Sequence, residues 1–271
     1  MIKKIAIIGG GASGLLAACF CSSKNTEVTI FEKQKKIGSK ILVTGNGRCN
    51  ISNRNIQIDR YHGSNPRFVH NVFSKFNIEE TEKFFTQLGL PFVEEKKGKL
   101  FPASLQAVTV VDLIQHELIR KKINVRLHRR IDSIKKKNNT FELLTAGNEK
   151  HIFDAVIVST GSSAYPQLGG SKRGYALAES LGHTVLDVFP SLLPVNIPLK
   201  IIHRLQGVKW DCNVSVHLKG KCIAVSEGEL LFTKFGISGP VTLDISRSVN
   251  EHVARGILPE IKIDFFPSKS K

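Results

Sequence analysis

Between residues 5 and 32 the chain runs an apolar stretch into three spaced glycines, a helical pattern and a second apolar stretch that ends on an acid. Ile5–Ile8 reads as a buried strand. Gly9, Gly11 and Gly14 follow in a G-x-G-x-x-G spacing, and Val28-Thr29-Ile30-Phe31 precedes Glu32. Strand, glycine turn, helix and strand in this order leave few folds open, because two parallel strands need a crossover between them. Gly9 permits the tight turn, Gly11 lets the main chain approach a pyrophosphate, and Gly14 lets helix and strand pack closely. The N–H groups at the helix start, at Ala12 and Ser13, have no intrahelical acceptor and are free to face phosphate oxygens. Glu32, eighteen residues beyond Gly14, is placed to accept hydrogen bonds from ribose hydroxyls and to repel a 2′-phosphate. The complete unit, more than its glycines, predicts a bound adenine dinucleotide.

Two other readings compete. A glycine-rich turn in a ligand-free core would require three glycines and a terminal acid to fall in register by chance. A targeting segment is suggested by Lys3 and Lys4 ahead of an apolar run, and by Leu16-Ala17-Ala18-Cys19, which has the form of a lipoprotein cleavage box. Gly9, Gly10 and Gly11 break that run and disfavour a continuous helix. No stretch reaches the roughly 18 consecutive apolar residues of a membrane span, so no membrane partner is expected. None of the five cysteines, Cys19, Cys21, Cys49, Cys212 and Cys222, forms a C-x-x-C pair. Neither a metal site nor a disulfide framework is therefore read, and reduced thiols point to the cytoplasm.

The formal charge is +16, from 39 Lys and Arg against 23 Asp and Glu, with basic clusters at 33–36, 96–99, 120–122, 129–130 and 135–137. Such clusters are ordinarily solvated surface. The functional alternative is attraction of anions, either cofactor phosphates or nucleic acid. No RNP-type aromatic pattern or GXXG loop is present, and only 7% of residues are aromatic, which gives no evident stacking platform. A small-molecule substrate is expected, with nucleic acid left open by the charge alone.

Downstream, helices are expected over about 66–76 and 79–89, a short hairpin around Lys97-Gly98, and an amphipathic helix over 105–121 from the spacing of Ala107, Val111, Ile114 and Leu118. Short strands follow at 124–128, 131–136 and 141–145, then a buried strand at Ala155–Val158 ending in Ser159-Thr160-Gly161. A helix opens at Gly174-Tyr175. The alternation predicts an α/β fold with a mostly parallel sheet and helices on both faces. Pro190, Pro194 and Pro198 interrupt regular structure, so the chain divides into residues 1–190 and a β-rich region 191–271, with strands at 208–218 and 221–232. The second region reads as too short for a large core of its own.

Further strings stand out: Gly38-Ser39-Lys40, Gly45-Asn46-Gly47-Arg48-Cys49-Asn50, Phe101-Pro102, Thr160-Gly161 with Tyr165-Pro166, and Leu231-Phe232-Thr233 before Gly236-Ile237-Ser238-Gly239-Pro240. With the N-terminal unit, this combination resembles the BaiN/YhiN-like family of FAD-dependent oxidoreductases, also labelled aminoacetone-oxidase-like, over nearly the whole chain. The resemblance implies a Rossmann-type domain of the two-dinucleotide-binding flavoprotein kind, with the start of an inserted β-rich domain. It implies FAD as resident cofactor, NAD(P)H as electron donor, and an unsaturated or carbonyl small molecule as substrate. It also carries Lys33, Lys40, Gly47, Arg48, Cys49, Thr160 and Gly161 onto the cofactor. Lys172-Arg173 depart from the small or acidic residues usual in relatives. Relatives also run on well past the position of Lys271 and return to the first domain, so a truncated chain is expected.

Flavins perform the redox step while the protein binds, orients and tunes. Lys40 and Arg48 are expected to meet anionic parts of the cofactor, with a solvated side chain the alternative for Lys40. Cys49 could act as a redox thiol, but no second cysteine stands at a redox spacing, so packing under the loop is the stronger reading. No catalytic residue is named; Tyr165 and His62 are weak candidates for the proton donor. Three readings follow: a flavin oxidoreductase, a flavin enzyme acting on RNA, or a non-catalytic fragment retaining ADP binding.

Overall fold

The structure is a computed structural model of the 271-residue chain, described over residues 2–63 and 65–267. The chain divides into two compact units, Met1–Val185 and Leu186–Lys271. In the first unit the elements are β1 (Lys3–Ile8), α1 (Ala12–Cys21), β2 (Thr26–Phe31), β3 (Ser52–Asn53), α2 (Phe68–Phe73), α3 (Ile78–Gln87), β4 (Phe92–Glu95), β5 (Lys99–Pro102), α4 (Ala107–Arg120), β6 (Asn124–Arg126), β7 (Ile131–Lys137), β8 (Thr140–Thr145), β9 (Lys150–Phe153), β10 (Ala155–Val158) and α5 (Arg173–Glu179). A four-stranded parallel sheet in the order β10-β1-β2-β6 is its centre.

Alternation along the central strands sends side chains to opposite faces. Ile7 pairs with Ile30 across β1 and β2, and both point toward Leu15, Ala18 and Cys19 of α1 and Val110, Ile114 and Leu118 of α4. Ala6, Ile8 and Phe31 project the other way, onto Ile131, Ile134, Leu143, Phe153 and Leu177. Helices thus cover one face. The second face departs from expectation: the three-stranded antiparallel sheet β7-β8-β9 covers it, aided by the short α5. A bulge after Ile131 brings it and Ile134 into the same core, Phe141 and Leu143 alternate at strand period in β8, Lys135–Lys137 face solvent, and Asn138 and Asn148 take the left-handed turn positions that short polar residues tolerate. The third strand of this meander, β9, was not expected from sequence. A further three-stranded sheet, β3-β5-β4, carries the hairpin foreseen around Lys97-Gly98.

The second unit contains β11 (Val195–Asn196), α6 (Lys200–Arg204), β12 (Lys209–Leu218), β13 (Lys221–Thr233), β14 (Gly236–Ser238), α7 (Pro240–Ala254) and β15 (Glu260–Asp264). Its antiparallel sheet runs β11-β14-β13-β12-β15. Cys212, Val214, Val216, Leu230 and Phe232 from the sheet bury against Val241, Ile245 and Val249 of α7, so this unit has a core of its own. The fifteen-residue α7 is the element that a β-rich expectation misses.

Candidate functional site

The site forms where the parallel strands end. Gly9, just past β1, has φ of +112°, and its N–H donates to the Phe31 carbonyl at 2.9 Å. A β-carbon there would run into the Ser159 carbonyl beyond β10. Gly14, on the first turn of α1, packs so closely that a β-carbon would collide with the Gly9 carbonyl oxygen. The missing side chains therefore let helix, turn and two strand ends converge. Gly11 differs: it is the N-cap of α1, has no side-chain cap, and a β-carbon on it would meet nothing within 4 Å. The open space beside Gly11 and the uncapped helix start are what an anionic group requires.

Glu32 stands across from this turn. Its Oε2 accepts from Gly10 N–H and its Oε1 from Gln34 N–H, both at 2.7 Å. Glu32 N–H donates to Arg126 O, and Arg129 N–H donates to Glu32 O, which ties the carboxylate to the end of β6. Ser159 Oγ donates to Ile8 O at 3.1 Å and binds β10 to the end of β1.

Gly9, Gly10, Gly11, Glu32 and Ser159 line one cavity of about 1140 Å³ whose lining residues all belong to the first unit. Its polar wall holds Gly9 to Ser13, Glu32, Lys33, Lys40, Thr160 and Gly161; its apolar lobe is walled by Ile56, Tyr61, Val72, Phe73 and Phe76. The volume is somewhat above the roughly 300–1,000 Å³ of ordinary small-molecule sites, as a large cofactor requires. A glycine turn, an uncapped helix and a facing carboxylate fit the pyrophosphate and ribose of an adenine dinucleotide.

Of the residues singled out from sequence, Gly9, Gly11, Ala12, Ser13, Glu32, Lys33, Lys40, Cys49, Thr160 and Gly161 share this cavity. Gly14 stands behind it as a packing residue. Gly47 and Arg48 are not among its lining residues. The Arg48 guanidinium is 2.7 Å from Glu95 and sits over the Phe101 ring, 4.6 Å from its centroid. Tyr165 and His62 are exposed and do not line the cavity either.

Cys49 is 7% exposed and has φ of +62°, in a loop where Gly45, Asn46 and Gly47 are also left-handed. Burial pushes its thiol up, opposed by a hydrogen bond with Thr44. The thiol is therefore neutral at pH 7, which suits packing and not nucleophilic attack.

Sequence reasoning did not place Arg129, Arg130 or Arg173 here, yet all three line the cavity. Arg130 and Arg173 converge on Asp132 at 2.8 and 2.6 Å and hold its carboxyl below the usual range, Arg130 contributing most. Arg129 lies three residues past the end of β6, at the edge where ligands of open α/β sheets bind, whereas Arg130 precedes the antiparallel β7 and Arg173 opens α5.

Comparison with known proteins agrees with this geometry. The family described as HI0933-like protein Rossmann domain matches residues 3–251. A 3-dehydro-bile acid delta(4,6)-reductase of Clostridium scindens is 37% identical over 268 residues, covering 98% of this chain and 65% of that protein. Ribosomal RNA dihydrouridine synthases of Escherichia coli and Haemophilus influenzae are each 29% identical, covering 98% and 95% of this chain and 66% and 65% of those proteins. The chain thus spans just under two thirds of the length of these relatives. The family match over residues 3–251, on the strand-end glycine turn just described, makes this chain a member of the HI0933-like Rossmann family.

Proposed function

We propose that the chain belongs to a cytoplasmic FAD-dependent oxidoreductase that takes hydride from NAD(P)H and delivers it to an unsaturated or carbonyl-bearing small molecule. The observation that carries this reading is that the α1 N-terminus and Glu32 open into one cavity that continues into an apolar lobe. In this reading residues 1–190 hold the cofactor and 191–271 belong to the inserted domain. FAD, when bound, supplies the hydride chemistry. The helix start at Gly11 to Ser13 holds the phosphates, Glu32 holds the ribose, and Thr160 and Gly161 flank the cofactor. Val72, Phe73 and Phe76 offer apolar contact to a substrate, and Tyr61 is the phenol on that wall able to give it a proton.

The test is titration of the purified chain with FAD and with ADP, following flavin fluorescence and heat, then anaerobic addition of NADH or NADPH. Flavin quenching, competition by ADP and bleaching by a nicotinamide support the reading. Failure of both nucleotides to bind at about millimolar concentration removes it.

A second reading, a flavin enzyme acting on RNA, is favoured by charge. Residues 1–185 carry 28 of the 39 Lys and Arg but 15 of the 23 Asp and Glu. Two relatives are named as ribosomal RNA dihydrouridine synthases. Binding of a ribosomal RNA fragment that weakens steeply with salt supports it; no binding at low salt removes it.

A further inference from the structure

Two lysines of the cavity do something other than wait for phosphate. Lys40 Nζ donates to the Ala164 carbonyl at 2.9 Å, and Lys33 Nζ to Ser171 Oγ at 3.2 Å. Between them, Gln34 lies against Gly169, where a β-carbon would come within 2.9 Å of Gln34 Nε2. The first segment, residues 33–40, follows β2 and the second, residues 161–171, follows β10, the strands on either side of β1, and both contribute residues to the cavity lining. Two lysines of the first segment are therefore hydrogen-bonded to the second, and Gln34 packs against it.

The second segment is a preformed piece. Leu168 N–H and Gly170 N–H donate to Tyr165 O, Gly169 N–H to Pro166 O, Ser171 N–H to Ser162 O, and Ala164 N–H to Ser162 Oγ. These bonds close the loop on itself. Its near end is Gly161, with φ of +74° and, among the described residues, no neighbour where a side chain would project, a loop position free to absorb a change in φ and ψ. Its far end is held at Arg173 by Asp132.

We infer that residues 161–172 are a strap across the dinucleotide cavity, hinged at Gly161 and latched shut by Lys33, Gln34 and Lys40. The inference rests on the dinucleotide reading of the cavity for its ligand, but not for its geometry. A nucleotide enters only when the latch bonds break, and the strap recloses over it. Latch residues are positioning residues: they govern how fast the ligand enters and leaves. A lysine that only contacts phosphate would, when removed, slow entry through lost attraction.

The experiment measures FAD association and dissociation by stopped-flow fluorescence for the parent chain, Lys40→Met and Ser171→Ala. Each variant should speed both entry and exit, by about fivefold for one part-exposed hydrogen bond. Ser171→Ala changes no charge, so faster entry there isolates the latch. Slower or unchanged entry in both variants overturns the inference. A ligand-free arm uses trypsin, which cuts after Lys172 and Arg173. With cleavage read by mass spectrometry, both variants should be nicked there several-fold faster than the parent, since nicking follows local opening. Equal nicking also overturns the latch. If the parent chain binds neither FAD nor ADP, the dinucleotide reading fails while the trypsin comparison still decides whether the strap is latched.

Discussion

Glu32 Oε2 accepts the Gly10 N–H at 2.7 Å, so the acid after β2 is bonded to the glycine turn after β1. The same carboxylate takes Gln34 N–H on its other oxygen, and each oxygen keeps a lone pair for a ribose hydroxyl. Glu32→Ala removes the ribose acceptor and frees two main-chain donors. ADP or FAD affinity should fall by about 1.5–3 kcal/mol, the weight of a hydrogen bond to a charged group, or about ten- to a hundredfold. Glu32→Gln should fall between, because its amide presents a donor where an acceptor is needed. Calorimetry showing an unchanged dissociation constant in Glu32→Ala would take Glu32 out of the site.

Gly11 and Gly14 are three residues apart and should behave as opposites. A methyl at Gly14 collides with Gly9 O and crowds Ser159 Oγ at 2.6 Å. Gly14→Ala should therefore destabilise the fold by about 1–3 kcal/mol or more, as overpacking does. A methyl at Gly11 enters open space, at an ordinary φ of −85°. Gly11→Ala should melt at the parent temperature yet bind ADP weakly. Equal melting temperatures for the two variants would contradict this assignment.

Cys19, 2% exposed against α4, has its thiol pushed up from 9.0 to about 11, first by burial and then by Glu117. The folded state favours the neutral thiol, so the stabilisation is whole below pH 9 and is lost as pH rises toward 11. Urea midpoints of the parent should drop across that window more than those of Cys19→Ala. Parallel curves would remove Cys19 from the alkaline transition.

Cys49 faces the cavity, but burial holds its thiol neutral. Exposed Cys222 should be alkylated well before Cys49 at pH 7. Cys49→Ala should leave cofactor reduction by a nicotinamide within a few-fold of the parent. Loss of turnover with cofactor still bound would assign the thiol a chemical role.

The N-terminal unit was legible because its signals are local: β1, the glycines, α1 and β2 occupy consecutive positions, and α4 declares itself by spacing. What escaped depends on distant partners. Glu95, 47 residues from Arg48, is visible as a partner only once β4 lies beside the loop. α7 was missed although Gly239-Pro240 is a sound helix start. Its buried stripe is diluted by Thr242, Ser246 and Ser248, whose first two hydroxyls turn back onto Ser238 O and Leu243 O. That satisfies them in the core but hides the apolar period from a reader of the sequence. Arg130 and Arg173 are 43 positions apart, and only Asp132 brings them together.

The meander over the back of the parallel sheet begins at the cavity, at Ile131, and carries the chain away from it along the seven residues of β7. At roughly 3.3 Å per residue this is about 20 Å. The turn at its far end, Asn138-Asn139, is exposed and left-handed at Asn138. Exposed polar turns of this kind accept inserted sequence without disturbing the layers they join. The molecule thus carries a ready attachment point for a fluorophore or an affinity peptide, remote enough to report on nucleotide entry without touching it.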